Sequence, residues 1–351
     1  MEIQRESVFV SAIRSFLKSI AVILGLFIAF IPIVLLLSVF GSEVELPNNT
    51  KLTFLPDANG KMELLPHSAP VVLEIKIHGV IGTTDLTGQS VTNQLVDSRR
   101  GILKDRVKAI LLHINTPGGG VNDSDVIYRQ IKAYKEKYKV PVFAYVEGLC
   151  ASGGVYVSSA ADKIFASPVS VIGSVGVFIG PFFNLHQALD KLGIQSRILS
   201  EGKDKTMMSP WVPWKEGEDQ SLKNIVGFMY NRFVTIVTEA RPQMNREKLI
   251  QEYGAQVFSA PIAEKLGYID EANQDYKSTM FALLEAAEIN PAKPYQVVQL
   301  QPKHNVLESL IKGTSPLISG KVKHKLDLGS HDLSEINDQL AYLYIPEGSG
   351  S

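Results

Sequence analysis

Glu147-Gly148-Leu149-Cys150-Ala151-Ser152-Gly153-Gly154-Val155-Tyr156 joins a short apolar run, Val142–Val146, to a run of small residues, Val157-Ser158-Ser159-Ala160-Ala161. The first run is bounded by Pro141 and Gly148 and predicts a buried strand, while the second suits a tightly packed helix. Ser152 therefore falls between a strand and a helix start, with two glycines behind it. Backbone N–H groups at a helix N-terminus lack intrahelical partners and favour negative charge beside them. A serine there can act as a nucleophile whose oxyanion is held by those groups, and glycines let a carbonyl approach closely. An ordinary helix N-cap uses the same residue type, so this segment alone leaves both readings open.

The neighbouring segments extend the pattern. Val71–Ile77 is a β-branched run closed by His78-Gly79, and Val107–Ile114 is a second, ending at Asn115-Thr116-Pro117-Gly118-Gly119-Gly120. Helices are predicted over Val91–Ile102, with Ser90 as cap, and over Asp123–Tyr138, with Asn122 or Asp123 near its cap. Further strands are predicted at Lys163–Ala166, Val171–Phe178 and Gln195–Leu199. Further helices are predicted at Leu185–Leu192, Glu216–Glu239 and Ala260–Leu266, the last stopped by Gly267. Strands alternating with helices imply right-handed βαβ units, hence an α/β fold with a mainly parallel sheet and covering helices. Pro117–Gly120 then sits at the C-terminal end of a strand, where such sheets place ligands. Its consecutive N–H groups can hold an anion or oxyanion. It is no phosphate loop, since neither Gly-Lys-Ser/Thr nor G-x-G-x-x-G occurs.

The 351 residues carry 35 Lys+Arg against 36 Asp+Glu, and no long basic run, which argues against nucleic-acid binding. Cys150 is the sole cysteine, so no intrachain disulfide and no cysteine-based metal site can form. Neither a metal nor a cofactor is expected. Ile20 to Phe40 is 21 residues without a charge, about 31 Å as a helix and enough to span a bilayer core. Arg5, Arg14 and Lys18 precede it and Glu43 and Glu45 follow, placing the N-terminus in the cytoplasm and the bulk of the chain outside. A cleaved signal peptide is the rival, with Ser38-Val39-Phe40-Gly41 a poor cleavage site. The expected organisation is a cytoplasmic segment at 1–18, a transmembrane helix at 19–41 and a linker at 42–68. A catalytic domain at 69–290 and a partly disordered tail at 291–351 complete it.

Taken together, these segments resemble the S49 family of membrane-bound serine peptidases, the protease IV or signal peptide peptidase A type. The resemblance covers about residues 69–290. It rests on Ile75–Ile81, Asn115–Gly120, Ala151-Ser152-Gly153-Gly154, Gly173-Ser174-Val175-Gly176-Val177, the segment around Lys205, Val257-Phe258 and Ala263–Asp270. It implies a crotonase/Clp-protease fold and a Ser–Lys dyad, with Ser152 as nucleophile and Lys205, 53 positions later, as general base. It places Ser174 near the dyad, where a turn serine would equally fit. Lysine takes a proton only when neutral, a form that burial in an apolar pocket favours. Met207, Met208, Trp211, Val175 and Phe178 are candidates for such surroundings. Asp204 departs from the family pattern; in an extended segment it would point away from Lys205. Lys203 is a rival base, and His113 the best candidate for a histidine triad.

Oxyanion donors are expected from Gly153 and from Gly118 or Gly119, and the substrate pocket from Phe178 and Trp211. The resemblance implies apolar, signal-peptide-like substrates and an inner (plasma) membrane location with the catalytic domain on the outer side. A single catalytic unit also implies a homo-oligomer, a tetramer or octamer ring. The competing classes are a crotonase-fold acyl-thioester enzyme and a catalytically inactive membrane scaffold.

Overall fold

The computed structural model describes residues 16–22, 24–25, 50–62, 64–83, 85–302 and 341–343. Two compact units result, Met1–Leu46 and Pro47–Ser351. In the first, residues 16–22 and 24–25 are helical. Among the described residues no helix is long and apolar enough to cross a membrane, and most of the predicted 19–41 span lies outside them.

The second unit is built on an eight-stranded sheet. In chain order the strands are β1 (Thr50–Leu55), β2 (Val71–His78), β3 (Val107–Thr116), β5 (Val142–Ala151), β6 (Lys163–Ala166), β7 (Val171–Gly173), β8 (Val257–Ser259) and β9 (Gln296–Pro302). Across the sheet they run β1-β9-β2-β3-β5-β7-β8, with β6 also paired to β5. The central pairs β9–β2, β2–β3, β3–β5, β5–β6 and β5–β7 are parallel, whereas β1–β9 and β7–β8 at the two edges are antiparallel. The sheet is therefore mixed, with a parallel centre. A short strand, β4 (Gly118–Gly120), leaves this sheet and pairs antiparallel with β10 (Ala341–Leu343).

Two of the expected boundaries are corrected. β1 lies inside the predicted linker 42–68, and β9 lies inside the predicted tail 291–351, yet β9 is inserted between β1 and β2. Neither segment carries a strand signal as strong as Val71–Ile77. Their order comes from the ladder hydrogen bonds and apolar face that each offers the other across a long stretch of chain.

Alternation along β2 splits the core. Val71, Leu73, Ile75 and Ile77 face one cluster with Val91 and Leu95 of α1 (Gly88–Asp97) and Ile127 and Ile131 of α2 (Val121–Tyr138). The same cluster takes Val155 and Tyr156 of α3 (Gly153–Ser158) and Phe233, Val234 and Val237 of the long helix Gln220–Ala240. Val72 faces the other side, where Met280, Leu283 and Leu284 of the Tyr276–Ala286 helix cover Ala109, Leu111 and Phe143. Each fully buried Leu or Ile contributes about 1.5–3 kcal/mol.

Several local expectations shift. Helix α1 is capped by Thr87, whose side chain accepts from Ser90 N–H, and Ser90 returns the bond from three residues inside. It stops at Asp97, ahead of a 3₁₀ turn entered at Gly101 with φ +50°. The strand predicted over Val171–Phe178 ends at Gly173, because Ser174 turns into the left-handed region at φ +59°. Gln195–Leu199 is not a strand: it has no pairing partner and lies exposed.

Candidate active site

The site is assembled where β5 changes neighbour. Residues 143–146 of β5 pair with β6, and residues 149–151 pair with β7. The change is made at Gly148, φ +108°, where an added Cβ would lie 2.8 Å from Asn115 Oδ1. Only glycine takes this bend without strain. It delivers Ser152 at φ +52°, ψ −113°, a region that costs a non-glycine residue about 1–3 kcal/mol. The turn is held by Ser152 N–H donating to Gly173 C=O (2.9 Å) and by Tyr156 N–H donating to Ser152 C=O (3.1 Å). Its side chain does not cap α3. Ser152 is 1 % exposed, and its Oγ is a buried hydroxyl with no hydrogen-bond partner among the described residues. The N-cap alternative therefore falls away.

Gly153 packs on the glycine strand. A Cβ there would sit 2.6 Å from Ser124 Oγ and 3.3 Å from both Gly118 Cα and Gly119 N. Strand β4 is itself held by Ile81, whose N–H donates to Gly118 C=O and whose C=O accepts from Gly120 N–H, both at 2.8 Å. Gly118 N–H donates to Thr116 Oγ1 (3.1 Å). Gly119 N–H is committed to neither of these partners. At Gly119, φ +155°, any side chain would overlap the Ile81 carbonyl. The fold thus brings Gly118, Gly119, Ser152 and Gly153 together, with buried Ser174 adjoining through Gly173.

Lys205 makes no hydrogen bond to Ser152 Oγ: it lies exposed in a turn over residues 202–208. The segment is turned rather than extended, with Asp204 at φ +57° and Met208 at φ +56°, so the expected separation of Asp204 from Lys205 by strand alternation does not arise. Phe178 and Trp211 are also exposed, at 37 % and 46 %, on the same stretch. Lys203 is exposed beside them.

The two other rivals are accounted for. Cys150 is fully buried, and burial pushes its thiol pKa up to about 12, far from a thiolate. His113 Nε2 pairs with Glu147 at 2.9 Å and Nδ1 faces Glu74 at 3.6 Å. Burial alone would lower the pKa of His113, but hydrogen bonds and charge from Glu74 and Glu147 outweigh it and the net shift is upward. It is a cross-strand clamp, with no bond to Ser152. Among the described residues no group of His, Cys, Asp and Glu is arranged to hold a metal ion.

Sequence reasoning missed the supports of the helix that follows Ser152. Tyr156 Oη donates to Asp125 Oδ1 at 2.6 Å, and Arg232 of the Gln220–Ala240 helix pairs with the same carboxylate at 2.6 Å. Burial would raise the Asp125 pKa, but these partners and Arg129 hold it below the usual range. The Tyr at Ser152+4 was in view, but its partners come from distant helices. The pairing of β10 with the glycine strand was missed as well: Glu335–Tyr344 reads as a short helix or strand, and nothing in it names its partner.

The model for peptidase family S49 matches residues 134–288, and the model for Clp protease matches residues 78–172. Together they span the glycine strand, the Ser152 turn and the segment bearing Lys205. Over residues 134–288 this chain is similar to peptidase family S49. Its fold is the Clp protease-like α/β arrangement with a mixed sheet. A candidate signal peptide peptidase SppA of Enterococcus faecium is 29 % identical over 273 residues, covering 73 % of this chain and 76 % of that protein. A candidate protease of Methanocaldococcus jannaschii is 34 % identical over 49 % of this chain and 54 % of its own length. Protease 4 of Salmonella typhi is 30 % identical over 64 % of this chain but only 34 % of its own length. The chain thus spans about a third of the Salmonella relative and about half of the Methanocaldococcus one.

Proposed function

We propose that this chain is an S49-type, membrane-anchored serine endopeptidase that cleaves apolar peptides, with Ser152 as nucleophile and Lys205 as general base. The observation that carries the proposal is the unpartnered, buried Ser152 Oγ on a strained turn packed against the Gly118–Gly119 backbone. Attack of Oγ on a peptide carbonyl would place the oxyanion between Gly153 N–H, at the start of α3, and the glycine strand. Since Gly118 N–H is held by Thr116, Gly119 is the better second donor. Two such N–H groups aimed at a developing charge are worth several kcal/mol of barrier.

The base must be delivered. Lys205 sits on a stretch exposing Phe178, Phe182, Phe183, Ile198, Trp211 and Trp214, and large exposed apolar side chains of this kind mark interaction surfaces. Association into a closed homo-oligomer, a tetramer or octamer ring, would bury that stretch, favour a neutral lysine and bring a lysine to each serine. Ser174 would then orient it. Apolar, signal-peptide-like substrates follow from the peptidase relative in Enterococcus faecium. The uncharged 20–40 run would anchor the chain in the inner membrane with the catalytic unit outside.

A fluorophosphonate probe tests the chemistry. A single adduct on Ser152, lost in Ser152→Ala, is expected of full-length protein; absence of any adduct would leave an inactive scaffold.

A further inference from the structure

Strand β5 carries more residues than its neighbours over the stretch that leads to Ser152. Ile114 of β3 stands opposite Val146 and Thr116 opposite Cys150, so Asn115 alone faces Glu147, Gly148 and Leu149. On the other side Val146 is the last residue paired to β6, and Leu149 the first paired to β7. A bulge of this kind bends its strand and strips ladder partners from the backbone groups inside it. Those groups have to be paired elsewhere.

Two side chains pair them. Asn115 Oδ1 accepts from Leu149 N–H at 3.1 Å. Its amide lies across Gly148, where a Cβ would come within 2.8 Å of that oxygen. The glycine therefore makes room for the Asn115 side chain as well as taking φ +108°. Ser170, fully buried just ahead of β7, accepts from Gly148 N–H at 3.2 Å and donates to Val146 C=O at 3.0 Å. A hydroxyl has one proton to give and two lone pairs to receive. Because that proton goes to Val146, Ser167 is the donor in the 2.8 Å contact between Ser167 Oγ and Ser170 Oγ. Ser170 Oγ then has its full complement of bonds, and its backbone C=O is fixed by Ala260 N–H at 2.9 Å.

We infer that Asn115 and Ser170 are positioning residues for Ser152: they set the bulge in β5 and, through it, the strained turn that follows. The bulge hands β5 from β6 to β7, whose Gly173 C=O receives Ser152 N–H. Ser152 Oγ has no partner among the described residues, so both side chains act on it through the backbone. That the turn so placed is catalytic rests on the peptidase reading above.

Three full-length variants test this. Asn115→Leu removes the acceptor at similar size, Asn115→Asp keeps it, and Ser170→Ala removes the hydroxyl. Amide hydrogen exchange over residues 147–151 should quicken roughly fivefold or more in Asn115→Leu and Ser170→Ala. In the same two variants kcat for an apolar peptide should fall on the order of 10–100-fold with KM little changed. Asn115→Asp should match the parent in exchange and recover most of kcat. Exchange as slow in Asn115→Leu and Ser170→Ala as in the parent overturns the inference. So does a loss in Asn115→Asp equal to that in Asn115→Leu, or a loss confined to KM. Should Ser170→Ala fail to fold, the Asn115 pair decides alone, because Asn115 is exposed and its two replacements differ in the acceptor. If no form, parent included, hydrolyses peptide or takes the fluorophosphonate while the exchange difference persists, the peptidase reading fails and the support of the bulge stands.

Discussion

At the residue scale the site is a problem of backbone. Ser152 at φ +52° and Gly119 at φ +155° are both held in conformations that unstrained side chains avoid. Ser152→Ala should keep its turn and its stability within about 1 kcal/mol and lose peptide hydrolysis; a fluorogenic apolar peptide reads the second and thermal unfolding the first. Gly119→Ala should behave in the opposite way, unfolding more readily by about 2 kcal/mol or more as Ile81 is pushed aside. Gly118→Val should crowd the site and also meet a backbone cost at φ +100°. Cys150→Ser should retain most activity, because the buried thiol has no access to the thiolate. A dead Cys150→Ser beside an active Ser152→Ala would reverse the nucleophile.

At the element scale, polar clamps hold the strand ends on which the site is built. His113 ties β3 to Glu74 on β2 and Glu147 on β5, and Tyr276 donates to Glu74 at 2.6 Å. The His113 pKa is raised above 6.5 on folding. Its contribution is therefore complete below about pH 6.5 and is lost as pH rises through the higher folded value. Glu74 shifts the other way: burial would raise its pKa, but His113 and Tyr276 lower it below 4.5. Its contribution holds above that pH and is lost as pH falls through the lowered value. The parent's Tm should thus decline above pH 6.5 and His113→Gln should flatten that decline, as measured by unfolding at a series of pH values. On the other face, Tyr156→Phe removes one bond to Asp125 and should cost about 1–2 kcal/mol. It should lower kcat more than it raises KM, since α3 then positions Ser152 less firmly.

At the scale of the whole molecule, the sheet does not close without its distant strands. A fragment of residues 69–290 would strip β1 and β9 and bare the edge of β2, leaving Val71–Glu74 unpaired on one side. Residues 47–302 keep both, and this longer fragment should unfold sharply at a higher temperature than 69–290 in differential scanning calorimetry. Lys205→Ala should be as inactive as Ser152→Ala, and the double variant no worse, because dyad members act as a unit. The activity of the parent should fall on the acid side as its lysine base is protonated. Light scattering of the full chain in detergent should show a discrete oligomer. A strictly monomeric species with full activity would remove the ring from the proposal.

What the sequence determined by itself was whatever local pattern can encode. The β-branched runs at Val71–Ile77 and Val107–Ile114 became β2 and β3, Lys163–Ala166 became β6, and Ala260–Leu266 became a helix stopped by Gly267 at φ +87°. The strand–serine–glycine junction was readable because periodicity changes there and small residues cluster. Only the tertiary structure decided the insertion of β9 between β1 and β2, the support of Tyr156 by Asp125 and Arg232, and the seat of Ala341–Leu343 on Gly118–Gly120. Each of these joins residues far apart in the chain. Such contacts have to overcome loop-closure entropy with hydrogen bonds and apolar burial from both partners at once, and neither partner's own sequence records the other.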